Sequence, residues 1–392
     1  MAVATPLSTS GRFIVDANGA RVRLAGVNWY GASEDMGVPV GLDVVDRDTL
    51  AALIGELGFN CVRFPFSLWM TEQTTPVPNA RLAANSDLYG ATPMEVYQAC
   101  VETLTAAGLI VIPNCHLLDF GWCCGNNDTN GLWFNDRWPA AKFTAAWQGL
   151  AERFQYQPLV AAMDIKNEPR PATVGGQVLT PTWGTGASTD FAAMYASVGN
   201  LIHQINPDPL IICEGLSYAC DLTGAAAHPV QLDKPGKVVY SMHDYSWFHA
   251  KGQTAAQYAE VMNKAGGYVL TEQIAPLWIG EFGDDVGSVA SINVDPTSGA
   301  GNAEAGWWAN IFAWLIGADI DWCWWALNPT HGTATTPGIN QLHYNWGDRE
   351  PYGLLAADWS GAADPGVMNA LQLILQPRTG PGVGGPGAGA RA

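Results

Sequence analysis

Charge is scarce in this chain, and positive charge is scarcest. Of 392 residues only 14% are Asp, Glu, Lys or Arg, and 18 Lys and Arg face 36 Asp and Glu, a formal net charge of −18. So acidic a surface repels phosphate backbones and anionic lipid, which excludes nucleic acid and membrane as expected partners and suits an uncharged substrate. Long apolar runs are also missing. None reaches the ~20 residues of a membrane helix, and Asn206-Pro207 and Asp208-Pro209 interrupt the most apolar neighbourhoods. Residues 1–10 show neither a basic n-region nor an apolar h-region, so they do not read as a signal peptide. The chain is then either cytoplasmic or a mature region behind a new Met, and an extracellular origin is the expectation. No solenoid-period repeat is found. No Gly-rich phosphate turn follows the first strand, which weighs against a doubly wound nucleotide-binding sheet.

What the chain does have is apolar mass, with 48% hydrophobic residues and 17 Trp. An average chain of this length would hold about 5 Trp. Such a surplus suits a groove that stacks on rings, although Trp147, Trp307, Trp308 and Trp314 fall on helix patterns and read as core. Trp29, Trp133, Trp138, Trp183, Trp247 and Trp325 fall in or beside loops of the expected active face, and three or more in one groove would indicate a chain of sugars.

Short apolar runs at 22–29, 60–65, 109–116, 160–167, 210–214, 238–243, 277–281 and 320–327 read as strands. Between them lie helical patterns at 46–57, 93–107, 140–154, 189–205, 254–270 and 303–316, with 364–375 closing the series. Only the crossover at 222–233 is weakly helical. Eight apolar strands alternating with helices predict parallel pairing by right-handed crossovers, closed into a (β/α)8 TIM barrel. A short N-terminal hairpin turning at Asn18-Gly19 is expected to cap the barrel bottom. Residues 1–378 read as one catalytic domain, and the Gly/Pro-rich segment 379–392 as a tail or linker remnant.

In such a barrel, chemistry sits at the C-terminal ends of the strands. Six runs close on polar, titratable or aromatic residues: Arg63, His116, Asn167-Glu168-Pro169, His243-Asp244-Tyr245, Glu281, and Trp325 with Asn328. Glu168 and Glu281 supply the two carboxylates that glycoside cleavage needs, one protonated for the leaving oxygen and one ionised toward the anomeric carbon. Arg63 and Tyr245 are candidates to hold one of them ionised. Glu214 ends a further strand and ranks below both. Asp164, Asp244, Asp284 and Asp285 read as structural or solvated.

These residues also carry a resemblance. Asn167-Glu168-Pro169 at a fourth strand and Ile279-Gly280-Glu281-Phe282-Gly283 at a seventh resemble glycoside hydrolase family 5, of clan A. With Arg63, His116, His243, Tyr245 and Trp325, the resemblance spans about residues 10–375. It implies a retaining β-glycoside hydrolase, with Glu168 as acid/base and Glu281 as nucleophile. Asn167 would bind the substrate 2-hydroxyl, His116 and His243 would bind hydroxyls or tune the glutamates, and Trp325 would be a stacking floor. No cofactor and no metal are implied, and the expected protein is a monomer whose partner is a carbohydrate. Gly121-Trp122-Cys123-Cys124 with Asn127-Asp128 and Asn130-Gly131 is similar to a cellulase-like branch found in plants, fungi and bacteria.

Alternatives remain open on sequence alone. An exo-acting β-glycosidase, an inactive carbohydrate-binding barrel, a metal-dependent hydrolase and a Schiff-base aldolase all use barrels. The metal enzyme lacks a His-x-His after strand one. The aldolase would have to use Lys166, which alternation aims the same way as Glu168. Cys115, His116, Cys123 and Cys124 have zinc-ligand types without zinc spacing. A disulfide involving Cys123 or Cys124 is favoured, and Cys220 is a further candidate. Cys61, Cys100, Cys115, Cys213 and Cys323 read as buried thiols. Asn127-Asp128-Thr129 is a glycosylation sequon. The loop 117–138 is expected to wall the groove and bring one of its Trp residues to the sugar.

Overall fold

A computed structural model describes residues 3–35, 37–125, 128–286, 303–331 and 349–375. The tail 379–392, Asn127 of the sequon, and most of the loops at 284–302 and 328–350 lie outside the described residues. Eight parallel strands close a barrel: β3 (Ala25–Asn28), β4 (Cys61–Ser67), β5 (Ile110–Leu117), β6 (Ala162–Asp164), β9 (Leu210–Glu214), β10 (Val238–Asp244), β11 (Leu277–Phe282) and β12 (Asp321–Trp324). β12 pairs with β3, so the barrel itself has no open edge. Two short antiparallel ribbons lie outside it, β1 (Ser8–Ser10) with β2 (Phe13–Val15), and β7 (Ala172–Val174) with β8 (Gln177–Leu179).

Helices form where the apolar spacing predicts them. The helix Ala140–Phe154 buries Phe143, Trp147, Leu150, Ala151 and Phe154, a stripe at three- and four-residue steps. Asp46 caps the helix Arg47–Glu56 by accepting from Asp48 N and Thr49 N. No helix occupies 222–233. The pattern 254–270 is a helix interrupted by a π turn at Asn263–Gly267.

The interior divides into two layers. At the bottom, Leu7, Ile14, Val22 and Leu24 pack on barrel residues such as Ile110, Ile112, Leu210, Ile212 and Trp278. The N-terminal segment is thus the plug expected from the sequence, but its ladder turns earlier, between Ser10 and Phe13. The Asn18-Gly19 turn is present, with Gly19 at φ +79°, but joins the chain only through a single Val15–Arg21 bridge. The Asp16 side chain folds back onto Asn18 N and Ala20 N and uses the donors that a longer ladder would need. Among the described residues no helix is long and apolar enough to cross a membrane.

Candidate active site

At the opposite end, the C-terminal strand ends surround a cavity of ≈ 680 Å³. His116, Asn167, Glu168, Tyr245, Glu281 and Trp325 all line it. Arg63 and His243, both 1% exposed or less, lie directly beneath. The eight sequence-predicted site residues therefore converge on one mouth.

Arg63 organises the floor. Rising from β4, its Nε donates to Asp164 Oδ2 (2.7 Å), and its Nη1 donates to Asn28 Oδ1 (2.9 Å) and Glu281 Oε1 (2.5 Å). Its Nη2 donates to Asn167 Oδ1 (2.7 Å) and Glu214 Oε1 (2.9 Å). A single guanidinium fork thus fixes side chains from β3, β6, β9 and β11 and the segment after β6. The second oxygen of Glu281, Oε2, accepts from Tyr245 Oη at 2.8 Å. Burial raises the Glu281 pKa, while His243, Arg63 and the Tyr245 hydroxyl pull it back toward the ionised form.

Glu168 is treated differently. Among the described residues no arginine donates to its carboxyl group. Oε1 lies 3.0 Å from His243 Nδ1, and burial pushes its pKa up to about 7. Burial also pushes the His243 imidazole down to about 4, so it is neutral at pH 7. The backbone of Glu168 has φ +43°, a left-handed conformation costing a non-glycine residue about 1–3 kcal/mol. Glu214 Oε2 holds it there by accepting from Glu168 N at 2.7 Å. Ligand atoms of Glu168, His243 and Glu281 all lie within 4.8 Å of one another, so the two glutamates reach each other across the mouth.

The walls are aromatic. Trp325 stacks with His116 (5.5 Å, 13°) and Tyr30 (5.2 Å, 8°), and Trp247 stacks on Tyr245 (4.4 Å, 8°). Trp122 also lines the cavity, so three Trp do. Trp247 and Trp325 belong to the expected set and Trp122 comes from the loop 117–138, whereas Trp29, Trp133, Trp138 and Trp183 are not in the cavity lining, with Trp133 edge-on against Phe191 at 4.9 Å. Large rings in loops fold back over the barrel because each removes more apolar area there than in a solvated groove.

Other expectations shift in detail. Lys166 is buried away from the cavity and donates to the Asn167 carbonyl at 2.7 Å. β6 ends at Asp164, so strand alternation no longer applies to residues beyond it. Asp164 and Asp244 are structural, and neither is solvated. Asp244 accepts from Tyr258 Oη (2.6 Å) and Trp307 Nε1 (2.9 Å). Cys123 and Cys124 are bonded to each other, and Cys220 is a free thiol. Disulfide sulfurs are not thiolates, so this pair offers zinc no ligands in that state. Asn28 was missed on sequence. It ends β3 and accepts from Arg63, and its signal is the polar end of Gly26-Val27-Asn28.

Residues 15–331 match the family model described as Cellulase (glycosyl hydrolase family 5). An endoglucanase of Paenibacillus polymyxa is 29% identical over 389 residues, covering 94% of this chain and 87% of that protein. A glycosyl hydrolase 5 family protein of Chamaecyparis obtusa is 32% identical over 413 residues, covering 95% of this chain and 66% of that protein. A solved structure of the endocellulase from Pyrococcus horikoshii, a glutamate-to-alanine variant with cellotetraose, superposes with a TM-score of 0.76 at 22% identity. That match covers 95% of this chain and the whole of the other, and at such identity it establishes the shared fold.

Proposed function

This chain belongs to glycosyl hydrolase family 5 and is a cellulase-like glycoside hydrolase, and from that premise we propose that it is a retaining, endo-acting hydrolase of cellulose-type β-glucan. Glu281 is the nucleophile and Glu168 the acid/base. One observation carries the reading: two buried carboxyl groups, 4.8 Å or less apart at their nearest ligand atoms, meet across a cavity with opposite surroundings. Glu281 bonds a guanidinium and a phenol, which favour the carboxylate. Glu168 has neither, and burial keeps its proton into the neutral range. Retention calls for carboxyl groups about 5–5.5 Å apart, whereas inversion needs about 6.5–9.5 Å for an intervening water.

In the first half-reaction, a Glu281 oxygen attacks the anomeric carbon while Glu168 gives its proton to the departing glycosidic oxygen. In the second, ionised Glu168 takes a proton from water, which attacks the same carbon and releases Glu281. Asn167 faces the cavity beside Glu168 and suits the 2-hydroxyl. His116 and Trp325, stacked together, suit the ring and its neighbouring hydroxyls. The name endoglucanase borne by the Paenibacillus relative, and cellotetraose in the Pyrococcus complex, support a β-glucan chain as substrate. An extracellular site of action is supported by a Xanthomonas campestris relative named major extracellular endoglucanase, 30% identical over 207 residues.

Proton NMR of the first product released from cellotetraose or a longer cello-oligosaccharide tests this reading. A β-anomer appearing first is expected. An α-anomer first would replace the double displacement by inversion, and release of single sugars from chain ends alone would replace endo by exo action.

A further inference from the structure

A disulfide between neighbours does little for a fold. It closes a loop with no intervening residue, and the entropy a crosslink removes from the unfolded chain grows with loop length. Yet all eight cysteines are among the described residues, and Cys123–Cys124 is the single disulfide they form. It sits at the chemistry, since both residues line the cavity. Cys123 Sγ lies 3.7 Å from Glu168 Oε2. The amide nitrogen of Asn167 lies 3.5 Å from Cys123 Sγ and 3.9 Å from Cys124 Sγ. Arg63 takes the other end of that amide, donating to its oxygen at 2.7 Å.

We infer that the Cys123–Cys124 disulfide is a positioning element of the hydrolytic site and a contact surface for the sugar beside the scissile bond, an inference that rests on the β-glucan reading above. Bonded sulfurs have no hydrogen to donate and present a polarisable, nearly apolar face. Asn167 is thereby held with its oxygen on Arg63 and its amide hydrogens toward the sulfurs and the cavity. Glu168 Oε2 meets a contact that gives it no hydrogen, so nothing there competes for its carboxyl proton. Reduction changes both. Two electrons from a phosphine break the S–S bond, each sulfur takes up a proton, and the phosphine leaves as its oxide with oxygen from water. The Cys123 thiol then donates to Glu168 Oε2 and favours the ionised carboxylate. Reduction adds no charge to the other groups that act on Glu168, namely His243, Glu214, Arg170, Arg63, Lys166, Asp128, Glu281, Tyr218, Cys220 and Tyr245.

The test is phosphine reduction of the folded enzyme, with thiol titration to count two new thiols, followed by reoxidation with oxidised glutathione. kcat and KM are measured on cellotetraose and on an aryl cellobioside whose phenolate departs with little protonation. The reduced enzyme is expected to lose about five- to tenfold in kcat/KM on cellotetraose, the scale of one sulfur contact, and clearly less on the aryl substrate. Reoxidation restores it, and the melting temperature moves by under ~2 °C. A Cys123→Ser/Cys124→Ser double variant shows the same loss and no phosphine response, whereas Cys220→Ser keeps that response. Retention of both constants within about twofold by the reduced enzyme or by the double variant overturns the inference. An oxidised enzyme with no turnover of cellotetraose overturns the β-glucan reading itself, and this inference with it.

Discussion

The barrel carries an arginine–carboxylate cluster at each end, built from the same groups to different purposes. At the bottom, Arg21 grips Asp321 with two nitrogens (2.7 and 3.1 Å), and Arg23 meets Asp319 at 2.5 Å. There is one cation for each anion, and the Arg21 and Asp319 side chains are 23% and 32% exposed. At the top, Arg63 alone faces Asp164, Glu214 and Glu281, all 6% exposed or less, with Glu168 close by. The bottom cluster is balanced and partly hydrated, so it pins the plug at modest gain. The top cluster holds more negative charge than Arg63 can neutralise. Burial and the neighbouring carboxylate of Asp164 drive the Glu214 pKa well up. Stability is given up at the end where protons must move.

The strongest way to break this comparison is at Glu281, the proposed nucleophile. Glu281→Ala should lower kcat by more than about 10⁴-fold on every substrate, because no glycosyl-enzyme can form. Glu168→Ala should instead lose most on poor leaving groups, since a phenolate of low pKa needs little help. Azide should rescue it by attacking the covalent intermediate, giving a β-glycosyl azide. A swapped pattern would exchange the two roles.

Charge balance can be probed by removing one arginine at each end. Arg63→Met should cost about 3–5 kcal/mol in urea unfolding, because it strands buried carboxylates. Arg21→Met should cost less, about 1–3 kcal/mol, because buried Asp321 keeps the Leu24 N–H and the nearby Arg23 charge when its Arg21 partner is lost. Equal losses would mean that the two clusters are energetically alike.

Much of the top cluster was legible from the sequence, and the reason is geometric. Parallel strands point their C-terminal ends one way, so Arg63, His116, Glu168, His243, Glu281 and Trp325 had to meet if the eight runs closed. What was not legible depends on where strands stop and how loops fold back. β6 ends after Asp164, which removes Lys166 from the cavity. The Asn18-Gly19 signal is real, but Asp16 satisfies that turn locally and the ladder forms one turn earlier. Cys123 and Cys124 gave no hint that they would pair with each other, because spacing arguments favour partners distant in sequence. Trp133 and Trp138 look like groove residues in a loop, yet they lie where burial against the barrel is available.

A finer contrast concerns pH. Glu168 has a folded pKa of about 7 against an ordinary 4.5. The folded state therefore binds the proton more tightly than the unfolded chain, and stability falls as pH rises from ~4.5 to ~7. Glu168→Gln removes that titration. Relative to the parent, the variant should gain on the order of 1–3 kcal/mol between pH 4.5 and 8, read from unfolding curves at both values. A difference that does not change with pH would mean that Glu168 is ionised at an ordinary pKa.

The smallest expected effects lie in the loop after β5, where one part of a single segment lines the cavity and another packs on the barrel. Trp122 lines the cavity and sits edge-on to His331 at 4.7 Å and Trp325 at 6.3 Å. Trp133 touches Phe134 and Phe191 and is outside the cavity lining. Truncating each removes a similar ring, so what differs is the surface it covers. Trp122→Ala should raise KM for cello-oligosaccharides about three- to tenfold, as expected for one lost stacking partner, with little change in melting temperature. Trp133→Ala should leave KM alone and lower stability by up to about 3 kcal/mol, since a largely buried aromatic leaves a void. If both variants lost only stability, the loop would be a cover for the barrel and no wall of the groove. If both lost only affinity, the ring packing around Trp133 would have to open to admit sugar.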